Sequence, residues 1–186
     1  ENFVLGYLGT VGTWYLFEET VRAFKILLTE RPNSKILIIN RGEHNYILNT
    51  LKKFKVSMDS IELISANHKD VPSLIKKMHA TVFFLKPFFS KQAAAPTKLG
   101  EFLASGVPVL TNEGVGDMAN IIKENRVGIA INNFNETTIK NGLIDLIALA
   151  DQEDIINRCR KTAENNFALE RGIESYAKIY NQLLSQ

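Results

Sequence analysis

The 186-residue sequence predicts an α/β fold: a Rossmann-like, doubly wound parallel sheet of about six strands, finished by C-terminal helices. Short apolar runs alternate with segments whose apolar residues recur every three or four positions, the pattern of strand–helix–strand units. The run at 35–40 is apolar almost throughout, as in strands covered on both faces. No repeat, low-complexity tract or internal linker interrupts the alternation. At 186 residues the chain is long enough for one well-buried domain and short for two.

Taken in order, residues 3–8 form the first expected strand. The helix over 15–30 places Phe17, Val21, Phe24 and Leu28 on one face. Pro32 and Asn33 turn the chain into the second strand, 35–40. A helix over 44–54, a third strand at 61–65, a helix over 72–79 and a fourth strand at 80–85 continue the series. Pro96 and Thr97 then open a helix that Gly106 closes after about two turns, and a buried strand follows at 107–111. A helix over 117–125 leads to the sixth strand, 128–131. Asn135 is placed to cap a helix over 136–149. From Gln152 the chain reads as entirely helical. Its last segment repeats apolar residues at Ile173, Tyr176, Ala177, Tyr180, Leu183 and Leu184.

Composition removes several classes of function. The net charge is +2 and the lysines are spread out, with only short pairs such as Lys52–Lys53 and Lys76–Lys77, so nucleic acid is disfavoured as the main partner. The single cysteine, Cys159, has no partner for a disulfide, a metal site or a redox pair, which points to a reducing, cytoplasmic setting. The longest apolar run, 80–85, falls far short of the roughly 18 residues that span a bilayer. His44, His68 and His79 are scattered without ligand spacing, and no metal is expected. There is no Gly-x-Ser-x-Gly elbow to support a hydrolase. The chain starts at Glu1 and enters a strand almost at once, as expected of a piece cut at a domain boundary.

The chemistry concentrates in 96–110, Pro-Thr-Lys-Leu-Gly-Glu-Phe-Leu-Ala-Ser-Gly-Val-Pro-Val-Leu. Lys98 and Glu101, three residues apart, lie on adjacent faces of the first turn. Phosphate favours a helix N-terminus, and a carboxylate one turn further in can accept bonds from paired sugar hydroxyls. A ribose and a phosphate therefore fit one short helix. Upstream, Gly6, Gly9 and Gly12 fall where the first strand turns into its helix, where small residues let a ligand approach the backbone. The spacing is not the dinucleotide fingerprint, because no acidic residue ends the second strand. Arg41–Gly42 follows that strand instead and can face an anion. Gly114–Val115–Gly116–Asp117 lies at the edge where open α/β sheets bind ligands, with Asp117 suited to a helix cap.

The 96–110 stretch resembles the donor-site segment of retaining GT-B glycosyltransferases of the family 4 type, through Pro96, Thr97, Lys98, Glu101, Ala104, Gly106, Pro108 and Val109. The resemblance implies that 1–186 is one nucleotide-sugar-binding domain, one half of a GT-B fold, with an N-terminal acceptor domain lying outside this chain. It implies transfer of a sugar from a nucleotide diphosphate donor with retention of configuration, no metal and no further cofactor. Glu101 would bind ribose, and Lys98 with the helix N-terminus the diphosphate. The Thr97 hydroxyl and the backbone of Ala94 and Ala95 are candidates for phosphate or sugar. Ser65, Ala66 and Asn67 stand where the base is held, and Gly9, Thr10 and Gly12 where the donor meets the first loop. The final helix would pack on the N-terminal domain, which would also supply any association with a membrane. A role in polysaccharide biosynthesis is the corresponding expectation.

Three positions depart from the family pattern. Thr10 stands where an arginine is usual and Tyr15 where a lysine is usual, so two charge-assisted contacts of roughly 1.5–3 kcal/mol each are missing. Glu18 and Glu19 make that helix start less welcoming to phosphate. Lys86, Lys91 and Lys98 are the cations that can substitute. Ala93 replaces the first of two glutamates seven residues apart, the one that reaches the transferred sugar. A nucleotide-sugar 2-epimerase half and a noncatalytic, degenerate nucleotide-binding domain are the alternative readings.

Overall fold

Burial on both faces makes near-continuous apolar strands, and the computed structural model, which describes residues 2–185, bears this out. Six strands form one sheet: β1 (Val4–Leu8), β2 (Lys35–Ile39), β3 (Ile61–Ile64), β4 (Ala80–Val82), β5 (Val109–Asn112) and β6 (Gly128–Ile131). Their order is β3–β2–β1–β4–β5–β6, every pairing parallel. β1 pairs with β2 from Val4↔Lys35 to Leu8↔Ile39 and with β4 through Leu5↔Ala80. The chain moves outward from β1 to β3, then restarts at β4 and moves the other way. A switch point therefore lies between the C-terminal ends of β1 and β4, where such sheets open a ligand crevice.

Eight α-helices accompany the sheet among the described residues: α1 (Phe17–Glu30), α2 (His44–Lys53), α3 (Val71–Ile75), α4 (Thr97–Ala104), α5 (Met118–Asn125), α6 (Glu136–Ala150), α7 (Ile155–Phe167) and α8 (Leu169–Leu184). α1 packs on α2 and α6, while α4 and α5 pack on α7. Tyr7, Phe17, Phe24, Phe83, Phe84 and Phe102 are the largest wholly buried side chains. Asn135 caps α6 as expected, its Oδ1 accepting from the Thr138 N–H at 2.8 Å. Gly106 adopts φ +84° after the Ser105 C-cap and stops α4 after eight residues.

Several boundaries differ from the sequence expectation. α1 starts at Phe17 because Tyr15 bridges antiparallel to Leu85, and the Leu16 N–H donates to the Phe84 carbonyl. β4 stops pairing at Val82, beyond which the Asn112 side chain takes over the role of a neighbouring strand. Its Oδ1 accepts from the Leu85 N–H and its Nδ2 donates to the Leu85 carbonyl. Gly6 lies inside β1 rather than in the turn. A Cβ there would begin 1.9 Å from the Met78 sulfur, so this glycine serves packing. α3 ends at Ile75, four residues early, where the chain turns to bring Met78 against Gly6. The C-terminal segment is helical as expected, in two helices. Ala168 takes an extended conformation between them (ψ 137°), just after Phe167 has packed on Gly100 of α4. α8 has no buried residue, and the whole stripe from Ile173 to Leu184 is exposed.

Candidate functional site

At the end of β1 the chain must leave the sheet at once, and Gly9 does so with φ +94° while its N–H donates to the Ile39 carbonyl at 2.9 Å. The turn is then held from two sides. The buried Tyr7 hydroxyl donates to the Thr10 carbonyl at 2.6 Å, and burial pushes that phenol well above its ordinary pKa. Asn40, buried at the end of β2, donates from Nδ2 to the Gly9 carbonyl (3.0 Å) and to Glu43 Oε2 (2.9 Å). Its Oδ1 accepts from the N–H groups of Gly42 and Glu43. Glu43 Oε2 also accepts from the Val11 N–H at 3.0 Å. A carboxylate thus sits inside the glycine turn.

This framework encloses one wall of a cavity of about 480 Å³. Gly9 and Thr10 line it from β1, Asn40 to Glu43 from β2, Ala66 and His68 from the loop after β3, and Glu101 from α4. Arg41 braces the rim, donating from Nε to the Ala66 carbonyl at 3.0 Å and from Nη2 to Asn67 Oδ1 at 3.3 Å. Glu101 is 37% exposed, with His68 Nε2 3.7 Å from its Oε1. His68 is almost fully exposed, so this contact leaves the carboxylate free to bind a ligand.

Of the residues singled out from the sequence, Gly9, Thr10, Ala66 and Glu101 meet in this cavity. Ser65 stands behind the rim, its Oγ 3.3 Å from His44 Nε2. Gly12 faces Glu43: a Cβ there would begin 3.4 Å from Oε1. Thr97 is exposed and lines a neighbouring cavity of about 520 Å³ between α4 and α7, with Glu101 on the wall shared by both. The Ala94 N–H is spent within its own loop on the Lys91 carbonyl (3.1 Å), and Ala93 and Ala95 are exposed beside it. Gly116 lets this loop approach, since a Cβ there would strike the Ala94 carbonyl oxygen.

Lys98 takes a position that its helical spacing did not suggest. Its ammonium is buried directly under the turn, donating to the Leu8 carbonyl at 2.6 Å, and a Cβ at Gly9 would begin 3.2 Å from Nζ. Nζ lies 3.6 Å from the centroid of the Tyr15 ring, with Tyr7 and Phe83 further out. Burial pulls its pKa down to about 7, against the opposing pull of the Glu101 and Glu43 carboxylates. Lys91 makes a parallel contact next door, 4.1 Å from the Trp14 centroid, and Trp14 meets Phe88 edge-on. Two lysines from after β4 therefore rest on the two aromatic residues before α1. Among the described residues no group of His, Cys, Asp and Glu is arranged to hold a metal.

Asn40 and Glu43 are the candidate-site residues that sequence reasoning missed. The available signal was a polar residue ending an otherwise apolar strand next to the glycine turn.

The profile of the family described as Glycosyl transferases group 1 matches residues 1–166. The chain belongs to that family. Among curated proteins none matches it. Solved structures share the fold of this group 1 chain at low identity. It superposes on a C-terminal domain of a glycosyl transferase group 1 family protein (LpcC) from Francisella tularensis, with TM-score 0.69, 17% identity, and coverage of 90% of this chain and 87% of that one. Sucrose-phosphate synthase from Thermosynechococcus elongatus gives TM-score 0.77 at 15% identity, over 100% of this chain and 46% of the synthase. WaaG, a glycosyltransferase involved in lipopolysaccharide biosynthesis, gives 0.67 at 18%, over 89% of this chain and 44% of WaaG. The group 1 chain thus spans less than half the length of the latter two. Its six-stranded parallel sheet is the Rossmann-like fold of a GT-B half. No helix among the described residues is long and apolar enough to cross a membrane.

Proposed function

We propose that this chain is the donor-binding half of a glycosyltransferase, holding a nucleotide diphosphate sugar for hexosyl or related transfer to an acceptor carried by an N-terminal domain. The observation that carries the reading is the shared cavity, which has Glu101 on one wall, the Gly9–Thr10 turn on another and Ala66 on a third. In this reading the base lies against the backbone of Ser65 and Ala66, and Glu101 accepts from the ribose hydroxyls. The diphosphate lies between the turn from Gly9 to Gly12 and the start of α4, where Thr97, Lys98 and the Ala94–Ala95 backbone stand. In the transfer step the bond from the anomeric carbon to the diphosphate oxygen breaks and an acceptor hydroxyl oxygen takes its place, its proton leaving with the diphosphate and the configuration retained. Charge builds on the leaving diphosphate, and protonated Lys98 beneath Gly9 is placed to offset it. No metal or other cofactor takes part in this scheme.

The uncovered apolar stripe of α8 supports an N-terminal partner domain, and without the acceptor that domain holds, the chain alone is inert. A cytoplasmic protein of polysaccharide biosynthesis fits this reading, as WaaG does for lipopolysaccharide. A noncatalytic domain whose nucleotide site has degenerated is the second reading, favoured by the Glu43 carboxylate inside the turn beside Thr10 and Tyr15. Calorimetry against UDP, GDP, ADP and CDP tests both. Saturable binding of one nucleotide, weakened about tenfold or more by Glu101→Ala, is expected, because the carboxylate accepts two charge-assisted bonds. No binding at millimolar concentration would favour the noncatalytic reading.

A further inference from the structure

Glu43 precedes α2 and caps nothing there; its side chain turns back to the end of β1. The carboxylate is half-buried, lines the cavity, and has no lysine or arginine partner among the described residues. Its position is fixed by the bonds from the Val11 N–H and Asn40 Nδ2, both on Oε2. The N–H groups of Thr10 and Gly12, on either side of Val11, have no acceptor among the described residues. Unpartnered N–H groups of a turn are donors that an anion can meet. Here the protein supplies an anion to the Val11 N–H between them. A ligand phosphate reaching the outer two comes up against a fixed negative charge.

We propose that Glu43 is a product-release residue: its carboxylate repels the extra negative charge that a nucleoside diphosphate carries over its sugar ester. This rests on the donor-site reading above. In the sugar ester the terminal phosphate is a diester with one ionisable oxygen. Once the sugar has left, that phosphate regains a second ionisation near about pH 6 and gains a charge at neutral pH. A carboxylate in the turn penalises the product more than the donor, so the site empties after transfer. Asn40 keeps the carboxylate in place through both states. The design costs phosphate affinity overall, a cost that the Lys98 ammonium beneath Gly9 offsets in part.

The test is calorimetry on the full 186-residue chain with UDP, GDP, ADP and CDP, each paired with its glucose ester. Glu43→Gln keeps an oxygen for the Val11 N–H and removes the charge. The diphosphate should tighten relative to its glucose ester by roughly threefold to tenfold, the span expected for one unit charge at the rim of a solvated cavity. Glu43→Ala should move the ratio in the same direction. An equal change for both ligands would overturn the proposal, and weaker binding of both would make Glu43 a hydroxyl acceptor instead. Nucleotide binding that is lost in Glu101→Ala but shows an unmoved ratio in both Glu43 variants sinks this inference alone. No binding by the native chain or by either Glu43 variant overturns the donor-site reading as well.

Discussion

Lys98 is a buried cation with no carboxylate in contact among the described residues: one carbonyl accepts from it and aromatic faces surround it. Its charged form carries a desolvation penalty that these contacts only partly offset. In the unfolded chain the amine keeps its proton to about 10.5, whereas in the fold it gives it up near 7. Between those values the unfolded state binds more protons, so stability rises with pH; below about 7 both states are protonated and the full penalty is carried. Denaturant midpoints at pH 7 and pH 9.5 should therefore rise for the native chain relative to Lys98→Met, which has no amine to titrate. A difference that stays flat across that range would mean the amine keeps its proton in the fold. This residue also marks how far a sequence can be read. The motif placed Lys98 beside Glu101 on α4, and that spacing is local. Its burial under Gly9 depends on β1 and α4 meeting from opposite sides of the switch point, which no local pattern encodes. Asn40 and Glu43 escaped for the same reason: they act on a turn about thirty residues away.

At the scale of elements, α4 is the piece that positions Glu101, and both of its ends were legible. Pro96 and Thr97 open it and Gly106 stops it in the left-handed region, because each signal acts within one turn of chain. A Cβ at Gly106 would begin 2.8 Å from Ile156 Cγ2, but Ile156 is 48% exposed and can swing away. The backbone conformation then sets most of the cost, and Gly106→Ala should lose about 1–2 kcal/mol. Chemical denaturation with an unchanged m-value would check this; no loss would mean the C-terminal turn of α4 readjusts freely. Where elements ended by tertiary means, the sequence was silent. Phe83–Phe84–Leu85 is as strand-like as Ala80–Val82, yet regular pairing stops when the Asn112 side chain replaces a backbone neighbour. The break at Ala168 lies between two helix-periodic segments and follows the last contact of α7, Phe167 on Gly100.

For the molecule as a whole, the sheet order follows from alternation and right-handed crossovers, so the six strands and the switch point were open to sequence reasoning. The fate of the last helix was legible only through the family resemblance, because its apolar stripe by itself specifies a partner surface without saying where that surface lies. α8 touches the rest of the chain chiefly at its junction with α7 and buries none of its sixteen residues. A helix of that length without tertiary packing is marginal in water, since its hydrogen bonds barely offset the cost of ordering the backbone. The core strands, by contrast, open only with the whole sheet. Hydrogen exchange should therefore divide the chain sharply. Amides of 169–184 should exchange within seconds, while those of β1 and β2 should be protected to the level of global unfolding. Protection of α8 comparable to β1 would show that the stripe is already covered, by self-association if it rises with protein concentration. In a longer protein whose N-terminal domain packs on this stripe, the same amides should become protected while the strands change little. That contrast separates a helix held by a partner from one that is stable by itself.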